Sequence, residues 1–278
     1  MAVITKTLKA SGGDYSLMSL WESGEQTDLV AAGNSHVLEC DAFTCTESAS
    51  VIVADWTTSD TSTITIIGTT APVSVPGLTY SGFLLQSNGN WAALRINQTN
   101  VNLKWLGIYA QFSSTGAYTT GLEFLAGATK CTVDSCAVNG RRNYCIRSLA
   151  SNITIRNCVT YSISGSSVGI NIASDGTFPS VLDNNTSINT GASTTAVMVS
   201  NATPAYPIAA RNNVSYCVTS GFAFGSSAQW SSAVNNASSD TTAPGTSTQT
   251  GITTADFVDY AGGDYTPSAN SKLKGTGA

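Results

Sequence analysis

Five segments of the chain read CTVDSCAV (131–138), NITIRNCVT (152–160), PSVLDNNTS (179–187), PIAARNNVS (207–215) and SSAVNNASS (231–239). Each is a short apolar run that leads into asparagine or cysteine. The equivalent positions, with one leucine upstream, follow one another at steps of 30, 22, 27, 28 and 23 residues: Leu106, Cys136, Cys158, Asn185, Asn213 and Asn236. A repeat of about 20 to 50 residues is typical of a solenoid.

The repeating unit favours strands over helices. Its apolar runs are short and separated by Gly, Ser and Asn, whereas a helical solenoid needs two amphipathic helices per unit. A second series of runs lies upstream in each unit: ALRI (93–96), GLEF (121–124), VGINI (168–172), AVMV (196–199) and GFAF (221–224). Each unit therefore carries at least two strands. Stacking such units about 4.8 Å apart gives an all-β parallel β-helix.

Equivalent positions in successive units are expected to lie above one another. One column is apolar and is predicted to point inward: Leu103, Val133, Ile155, Leu182, Ala210 and Ala233. The next column is predicted to point outward: Lys104, Asp134, Arg156, Asp183, Arg211 and Val234. Its five charges alternate in sign, which predicts a ladder of ion pairs. At an exposed site each pair contributes less than about 1 kcal/mol, so we expect the ladder to fix the register of the strands.

Asparagine recurs where each strand must bend. One set directly follows the charged column: Asn157, Asn184, Asn212 and Asn235. A second set comes next in the chain: Asn185, Asn213 and Asn236. Asparagine tolerates the left-handed backbone conformation, and its amide can bond to the neighbouring unit. The pattern predicts asparagine ladders that satisfy backbone groups at the bend.

The repeat divides the chain into three regions. Residues 1–50 are predicted to form a strand and helix that cap the solenoid and to serve as a docking segment. Residues 51–239 are predicted to form a β-helix of about seven rungs. Residues 240–278 are predicted to be a polar linker followed by a C-terminal cap over the last rung, because terminal rungs expose apolar surface and strand edges.

The N-terminal cap is assigned to the sequence GGDYSLMSLWESGEQ (12–26), which has the pattern of a short amphipathic helix. Asp14 or Ser16 is expected to cap its first turn, with Leu17, Leu20 and Trp21 on one buried face.

Composition excludes several classes of function. Only 10% of the 278 residues are charged, against about 25% in typical proteins. The net charge of −5 and the pI near 4.7 argue against nucleic-acid partners and anionic membranes. No apolar run approaches the roughly 20 residues of a membrane span. The seven cysteines are odd in number and lack CxxC spacing, so most are expected to be small buried side chains, with a Cys136–Cys158 bridge left open as an alternative.

The sequence contains few combinations of residues that are suited to catalysis. Acid/base cleavage of a glycan needs two carboxylates about 5 to 9.5 Å apart, and the stretch 61–239 contains Glu123, Asp134, Asp175 and Asp183. If the protein is an enzyme, Asp134, Arg156 and Asp183 form the best candidate site. The sequence offers no metal site, and a non-enzymatic role without a cofactor is expected. His36, the single histidine, is expected to be structural or exposed.

Aromatic residues leave two interpretations open. Two sets of aromatic residues could form a platform on which sugars stack: the tyrosines at one aligned position, Tyr109, Tyr161 and Tyr216, and the tryptophans Trp21, Trp56, Trp91, Trp105 and Trp230. Packing in the core or at an interface is the favoured interpretation, because buried aromatic rings contribute large contact area.

The rungs and asparagine bends resemble the right-handed parallel β-helix superfamily, the pectate-lyase-like fold. That resemblance implies the right-handed sense. The opening sequences GGDYSLMSLWESGEQTDLV (12–30), HVLECDAF (36–43) and VIVADWTTSDTSTITIIG (51–68) are similar to those of β-helix proteins of tailed phages and prophages.

The phage resemblance implies a structural protein of the virion, such as a capsid decoration or cement protein or a short fibre or knob. It also implies a homotrimer that is assembled in the host cytoplasm and contacts other virion proteins such as the capsid shell. The alternative is a polysaccharide-degrading or glycan-binding β-helix protein, since many β-helix proteins cleave polysaccharides. The two differ in solution mass and in release of sugar ends.

Overall fold

Three parallel sheets wrap the chain into a prism. The structure, a computed structural model, describes residues 1–74, 80–88, 91–111, 119–140, 143–162, 168–172, 178–191, 198–200, 208–218 and 230–274. Successive strands of one sheet come from successive turns of the chain, and every pairing between the three sheets' own strands is parallel. The parallel β-helix predicted from the repeat is confirmed.

Sheet A supplies the first strand of each rung and has nine strands in the described residues. These are β1 (Ala2–Leu8), β2 (Asn34–Cys40), β5 (Ile64–Gly68), β10 (Val101–Lys104), β13 (Cys131–Asp134), β16 (Ile153–Arg156), β19 (Val181–Asp183), β22 (Ile208–Arg211) and β24 (Trp230–Val234).

Sheet B follows sheet A around the corner where the asparagines lie. Its described strands are β3 (Thr44–Glu47), β8 (Leu84–Ser87), β11 (Gly107–Ala110), β14 (Ala137–Gly140), β17 (Val159–Ser162), β20 (Thr186–Asn189), β23 (Val214–Cys217) and β25 (Ala237–Ser238). Sheet C completes the rung with β4 (Val51–Val53), β9 (Ala92–Ile96), β12 (Thr120–Phe124), β15 (Tyr144–Ser148), β18 (Val168–Ile172) and β21 (Met198–Ser200). The run GFAF (221–224), expected to be a strand of this series, lies outside the described residues.

One part of the predicted architecture is confirmed in finer detail and one needs correction. At least two strands were expected in each rung, and the first six rungs have three described strands, because the segment after the asparagine bend forms a sheet of its own. The first full rung consists of β2, β3 and β4, so the β-helix begins at Asn34 and not at residue 51. Strands β2 to β25 make eight rungs over the described residues, one more than expected, and β1 adds a half-rung before them.

The predicted inward column is the core of sheet A. Leu103 pairs with Val133, Val133 with Ile155 and Ile155 with Leu182, and these side chains are at most 1% exposed. A bulge opposite Ile208 shifts the pairing at the start of β24, but the register recovers at Ala210 and Ala233. The side chains of this column become smaller toward the C-terminal end, from leucine to alanine. The last rungs therefore contribute less side-chain volume to the core.

Helix α1 (Met18–Glu25) covers the N-terminal end of the prism. Its N-cap is Leu17, whose side chain makes no capping bond, so the expectation for Asp14 or Ser16 is wrong. Asp14 instead accepts hydrogen bonds from Thr7. A free backbone N–H in the first turn of the helix is bonded by a residue far away in the sequence. The Glu47 carboxylate accepts from the Ser19 N–H at 3.0 Å.

The buried face of α1 also differs from the prediction. Met18, Trp21 and Glu22 are buried, whereas Leu20 is 51% exposed. A short helix, α2 (Leu29–Ala32), follows, capped by Asp28 and ended by Gly33 in the left-handed region. None of the helices in the described ranges is long and apolar enough to cross a membrane.

The C-terminal region differs from the prediction, because the segment expected to be a linker covers the last rung and the expected cap lies elsewhere. Residues 244–250 cover the last rung, where Thr246 and Gln249 bond to the backbone beside β24 and β25. The remainder turns back: a 3-10 helix (Thr254–Asp256) and the hairpin of β26 (Phe257–Asp259) and β27 (Asp264–Pro267) lie against the outer face of sheet B. A smaller hairpin, β6 (Val73–Ser74) and β7 (Tyr80–Ser81), projects from the second rung.

Candidate functional site

The charged column lies on the outer face of sheet A in the predicted register. Lys104 is paired with Asp134, Asp134 with Arg156, Arg156 with Asp183, and Asp183 with Arg211. In parallel strands that pair in register, side chains at equivalent positions lie on the same face of the sheet, one rung above the other. The alternating charges therefore become neighbours.

Only some of these neighbours touch. Arg156 approaches the Asp134 carboxylate to 3.0 Å, and Arg211 grips Asp183 with two bonds of 2.8 and 2.7 Å. The Lys104 ammonium instead lies over the ring of Trp105, 4.5 Å from its centroid. The ladder is therefore two separate ion pairs, Arg156 with Asp134 and Arg211 with Asp183.

The surroundings keep Asp134 ionised. Burial alone would raise the pKa of its carboxyl, but hydrogen bonds from Asn157 and Ser135 and the charge of Arg156 hold that pKa below its ordinary value. The bidentate bond to Asp183 raises the pKa of the Arg211 guanidinium. Asp134 and Asp183 lie two strands apart with Arg156 between them. Each carboxylate acts as a hydrogen-bond acceptor for its own arginine.

The asparagines after sheet A form an outer ladder at the corner between sheets A and B. Asn157, Asn184, Asn212 and Asn235 all have φ of 55° or 56°, in the left-handed region. Their amides bond from rung to rung: Asn212 donates to Asn184 at 3.0 Å, Asn184 to Asn157 at 3.4 Å, and Asn157 to Asp134 at 2.9 Å. The bend therefore uses the residue type that best tolerates this backbone conformation.

The second set of asparagines is an inner ladder with no exposed surface. Asn213 donates its Nδ2 to the Leu182 carbonyl at 2.9 Å and to Asn236 Oδ1 at 3.0 Å. Its own Oδ1 accepts from the backbone N–H of Asn185 at 3.1 Å and from the Asn185 amide at 3.0 Å. The inner ladder thus satisfies backbone groups that the corner leaves without sheet partners.

A second charged column, absent from the sequence-based prediction, lies on sheet C. Arg95 donates to the buried Glu123 at 3.0 Å from one side, and Arg147 donates to it at 3.1 Å from the other. The Arg147 guanidinium also lies over the ring of Tyr144 at 5.3 Å. Aligning ALRI with GLEF and the later CIRS by strand register would have brought these three charges together.

Beside this column is an open cleft of about 400 Å³. Arg95 forms one side of it, and Trp91, 63% exposed, and Ile52 are among the other lining residues. An exposed indole next to a guanidinium suits a ligand that combines an apolar face with a negative charge.

A polar cluster closes the interior at the N-terminal end. Glu25 accepts a hydrogen bond from Tyr15, forms an ion pair with Lys6 at 3.0 Å and makes a hydrogen-bond contact of 3.3 Å with His36 Nε2. His36 is buried between the rings of Trp21 and Trp56. Burial lowers the pKa of His36. Burial would raise the pKa of Glu25, but bonds from Tyr15, Lys6 and His36 leave it lowered. His36 is thus a structural residue, which was one of the two alternatives expected from the sequence.

The tyrosine column and the cysteines are both enclosed. Tyr161 stacks on Tyr265, and Tyr216 contacts Phe257 and Tyr260, all from the segment that folds back over sheet B. These tyrosines therefore pack against the body of the protein and do not form an open sugar platform. All seven cysteines are free and buried, so Cys136 and Cys158 are not bridged.

No protein-family model matches the chain, and no curated protein matches its sequence. Solved structures do match. A pectin methylesterase from Aspergillus niger superposes with a TM-score of 0.52 over 88% of this chain and 84% of the other, at 12% identity. A tailspike protein from Acinetobacter baumannii bacteriophage Fri1, a capsular polysaccharide depolymerase, matches with a TM-score of 0.34 at 10% identity, over 85% of this chain and 54% of the other. The chain is a right-handed parallel β-helix.

Proposed function

We propose that this protein is a structural component of a phage virion, either a capsid decoration or cement protein or a short fibre or knob. It forms a homotrimer, is assembled in the host cytoplasm and is exposed on the particle. It acts by surface binding to other virion proteins, not by catalysis.

The observation that carries this proposal is the open edge of β1. Thr7 directs its N–H and C=O away from β2, toward Asp14 and Tyr15. Alternate residues of a strand point their backbone groups the same way, so Val3 and Thr5 do likewise. Within the described residues nothing pairs with those groups. An unpaired strand edge is a template for a strand from another chain.

The N-terminal region also exposes apolar side chains. Val3 on β1 is 63% exposed, and Leu20 on α1 and Val30 on α2 are also exposed. The opposite end differs, because residues 244–250 pair with the last rung. A prism whose last rung is paired at one end and whose first strand keeps a free edge at the other suits a knob that docks by its N-terminal region.

The acidic residues support a non-catalytic role. Asp134, Asp183 and Glu123 are each held by an arginine in an ion pair. A general acid needs a proton near neutral pH, whereas the pKa of Asp134 is held below its ordinary value by Asn157, Ser135 and Arg156.

The test of the virion role is immunogold labelling. Antibodies to the purified protein should decorate particles released by the organism that encodes it, with label on heads for a decoration protein and on tails for a fibre. Unlabelled particles of proven purity would overturn the proposal. Light scattering should give about three times the chain mass of 28.6 kDa, and a monomer would overturn the trimer.

The docking edge has its own test. Proline at Thr5 removes an N–H that faces the open edge and leaves the bonds of β1 to β2 intact. Thr5→Pro should keep the melting temperature but lose rebinding to particles stripped of the protein. Lys6→Pro is the contrasting variant, because its N–H faces β2 and its loss should lower the melting temperature. Full rebinding by Thr5→Pro would contradict the edge as the docking site.

A second candidate function is glycan binding or cleavage, favoured by the cleft at Trp91 and Arg95. Acidic polysaccharides incubated with the protein would then release reducing ends. If they do, variants of Asp134, Arg156 and Asp183 should be compared with variants of Arg95 and Glu123 to find which column acts.

A further inference from the structure

In the part of the chain that the structure describes, three cavities open along the corner between sheets A and B. They measure about 600, 310 and 400 Å³. The first two share Thr186, Tyr265 and Pro267, and the last two share the outer-ladder residues Asn184, Asn212 and Asn235. Shared walls make them one groove, which we call the corner groove, running along the stacking axis.

In the two smaller cavities the floor of the corner groove is a row of side-chain amides. One amide is presented per rung, at the strand spacing of about 4.8 Å. The Oδ1 atom of Asn212 is buried and has no hydrogen-bond partner among the described residues, and a buried acceptor without a donor is costly. A hydroxyl in the groove can bond to this atom when the Asn212 amide turns toward it.

One wall of the groove comes from the C-terminal segment, through Tyr265, Pro267 and Leu273. Val214 and Ala237 add apolar surface on the side of sheet B. The groove therefore pairs a polar floor with an apolar wall. This combination matches a chain whose units carry hydroxyls around their rim and C–H groups on their faces.

The described lining of the groove carries a small negative charge. Asp183 and Arg211 line it at the side of sheet A and neutralise each other through their bidentate ion pair, which leaves Asp264 in the largest cavity. A ligand with a strong net charge would have to compete with that pair, whereas neutral hydroxyls can bond to both groups and leave it intact.

A peptide fits the corner less well. Strand addition needs free backbone groups, and the backbone N–H groups here are already bonded to the next rung: Asn184 to Arg211, Asn212 to Val234 and Asn235 to Thr246. The groove offers side-chain amides instead of a strand edge.

We propose that the corner groove binds a linear, neutral oligosaccharide. This site lies on a different face from the Trp91 cleft and far along the prism from the open edge of β1. Oligosaccharide binding in the corner groove can therefore be tested independently of the proposed virion role.

The test is titration of the purified wild-type chain with neutral hexasaccharides of the cello, xylo, manno and malto series, with hexagalacturonate and an extended hexapeptide as comparisons. Saturation-transfer NMR and calorimetry report binding. Thr186→Trp fills the groove where two cavities meet, and Asn212→Ser removes one floor amide. The matched control is Thr132→Trp, at a half-buried outward threonine on sheet A away from the groove.

At least one neutral series should bind, with little dependence on salt because no net charge is involved. Thr186→Trp should weaken that binding at least tenfold and Asn212→Ser several-fold, while Thr132→Trp should leave it unchanged. The proposal is overturned if no neutral hexasaccharide binds at millimolar concentration, if only hexagalacturonate or the peptide binds, or if all three variants bind equally. Asn212→Ser keeps the test decisive should Thr186→Trp fail to fold.

Discussion

Replacing Asn213 with leucine should destabilise the protein far more than a change one residue earlier in the same bend. Asn213 is fully buried and makes four hydrogen bonds through its side chain. In the leucine variant the Leu182 carbonyl loses its amide donor, and the Asn185 N–H loses its acceptor. The Asn185 amide keeps its bond to Ile155, and Asn236 Oδ1 keeps the bond from the Asn213 N–H.

Two buried backbone groups are thus left unpaired. Each costs about 1 to 3 kcal/mol, so the free energy of unfolding should fall by about 4 kcal/mol. For a chain of this size that corresponds to a drop of roughly 8 to 16 °C in melting temperature. The control is Asn212→Ser, which removes the bond to Asn184 at the edge of solvent and should cost only about 1 kcal/mol.

Circular dichroism at a strand-sensitive wavelength follows both melts. The reasoning is refuted if Asn213→Leu and Asn212→Ser melt within a degree or two of each other, because burial and the number of orphaned groups would then not decide the cost. A loss for Asn212→Ser as large as that for Asn213→Leu would instead show that the left-handed conformation of Asn212 contributes as much to stability as the buried hydrogen bonds of Asn213 do.

Three further outcomes are expected. Asp183→Lys places like charges on neighbouring rungs of sheet A and should lower stability by up to about 1 kcal/mol, an effect that high salt should reduce; an unchanged melt at low salt would count against the ladder. Acid should loosen the N-terminal cap. The folded pKa of His36 is depressed, so its contribution is lost as the pH falls below 6.5, and that of Glu25 is lost as the pH falls below 4.5; tryptophan fluorescence should change in that order, and Glu25→Gln should remove the second step. Thiol reagents should not label the native chain, since burial raises the pKa of Cys145 to about 12, and rapid labelling would contradict the packing.

The asparagine spacing predicted the fold and the main column because a parallel stack repeats each position on the same side of the next rung. Arg156 and Asp183 therefore fell into register without any knowledge of the structure. Spacing could not tell which neighbours would bond. That choice depends on side-chain geometry, and it separates the bidentate pair of Asp183 and Arg211 from the cation–π contact of Lys104.

Two parts of the candidate sites were not predicted from the sequence, for different reasons. Arg95, Glu123 and Arg147 could have been found, because they occupy one position of the second strand series. The path of the C-terminal segment could not, since residues 240–274 do not follow the repeat, and periodicity says nothing of where a non-repeating segment lies. That segment covers Tyr161 and Tyr216 and also builds one wall of the corner groove.

The two ends of the prism are completed in different ways. A solenoid end must cover the apolar interior and also pair the last strand. At the N-terminus, α1 and the cluster of Lys6, Glu25 and His36 cover the interior, but the edge of β1 stays open. An incoming strand would find free groups only at Val3 and Thr5, because Thr7 is already engaged by Asp14 and Tyr15. The open edge is therefore short enough to resist unspecific sheet growth and has a fixed register, which is what a docking contact requires.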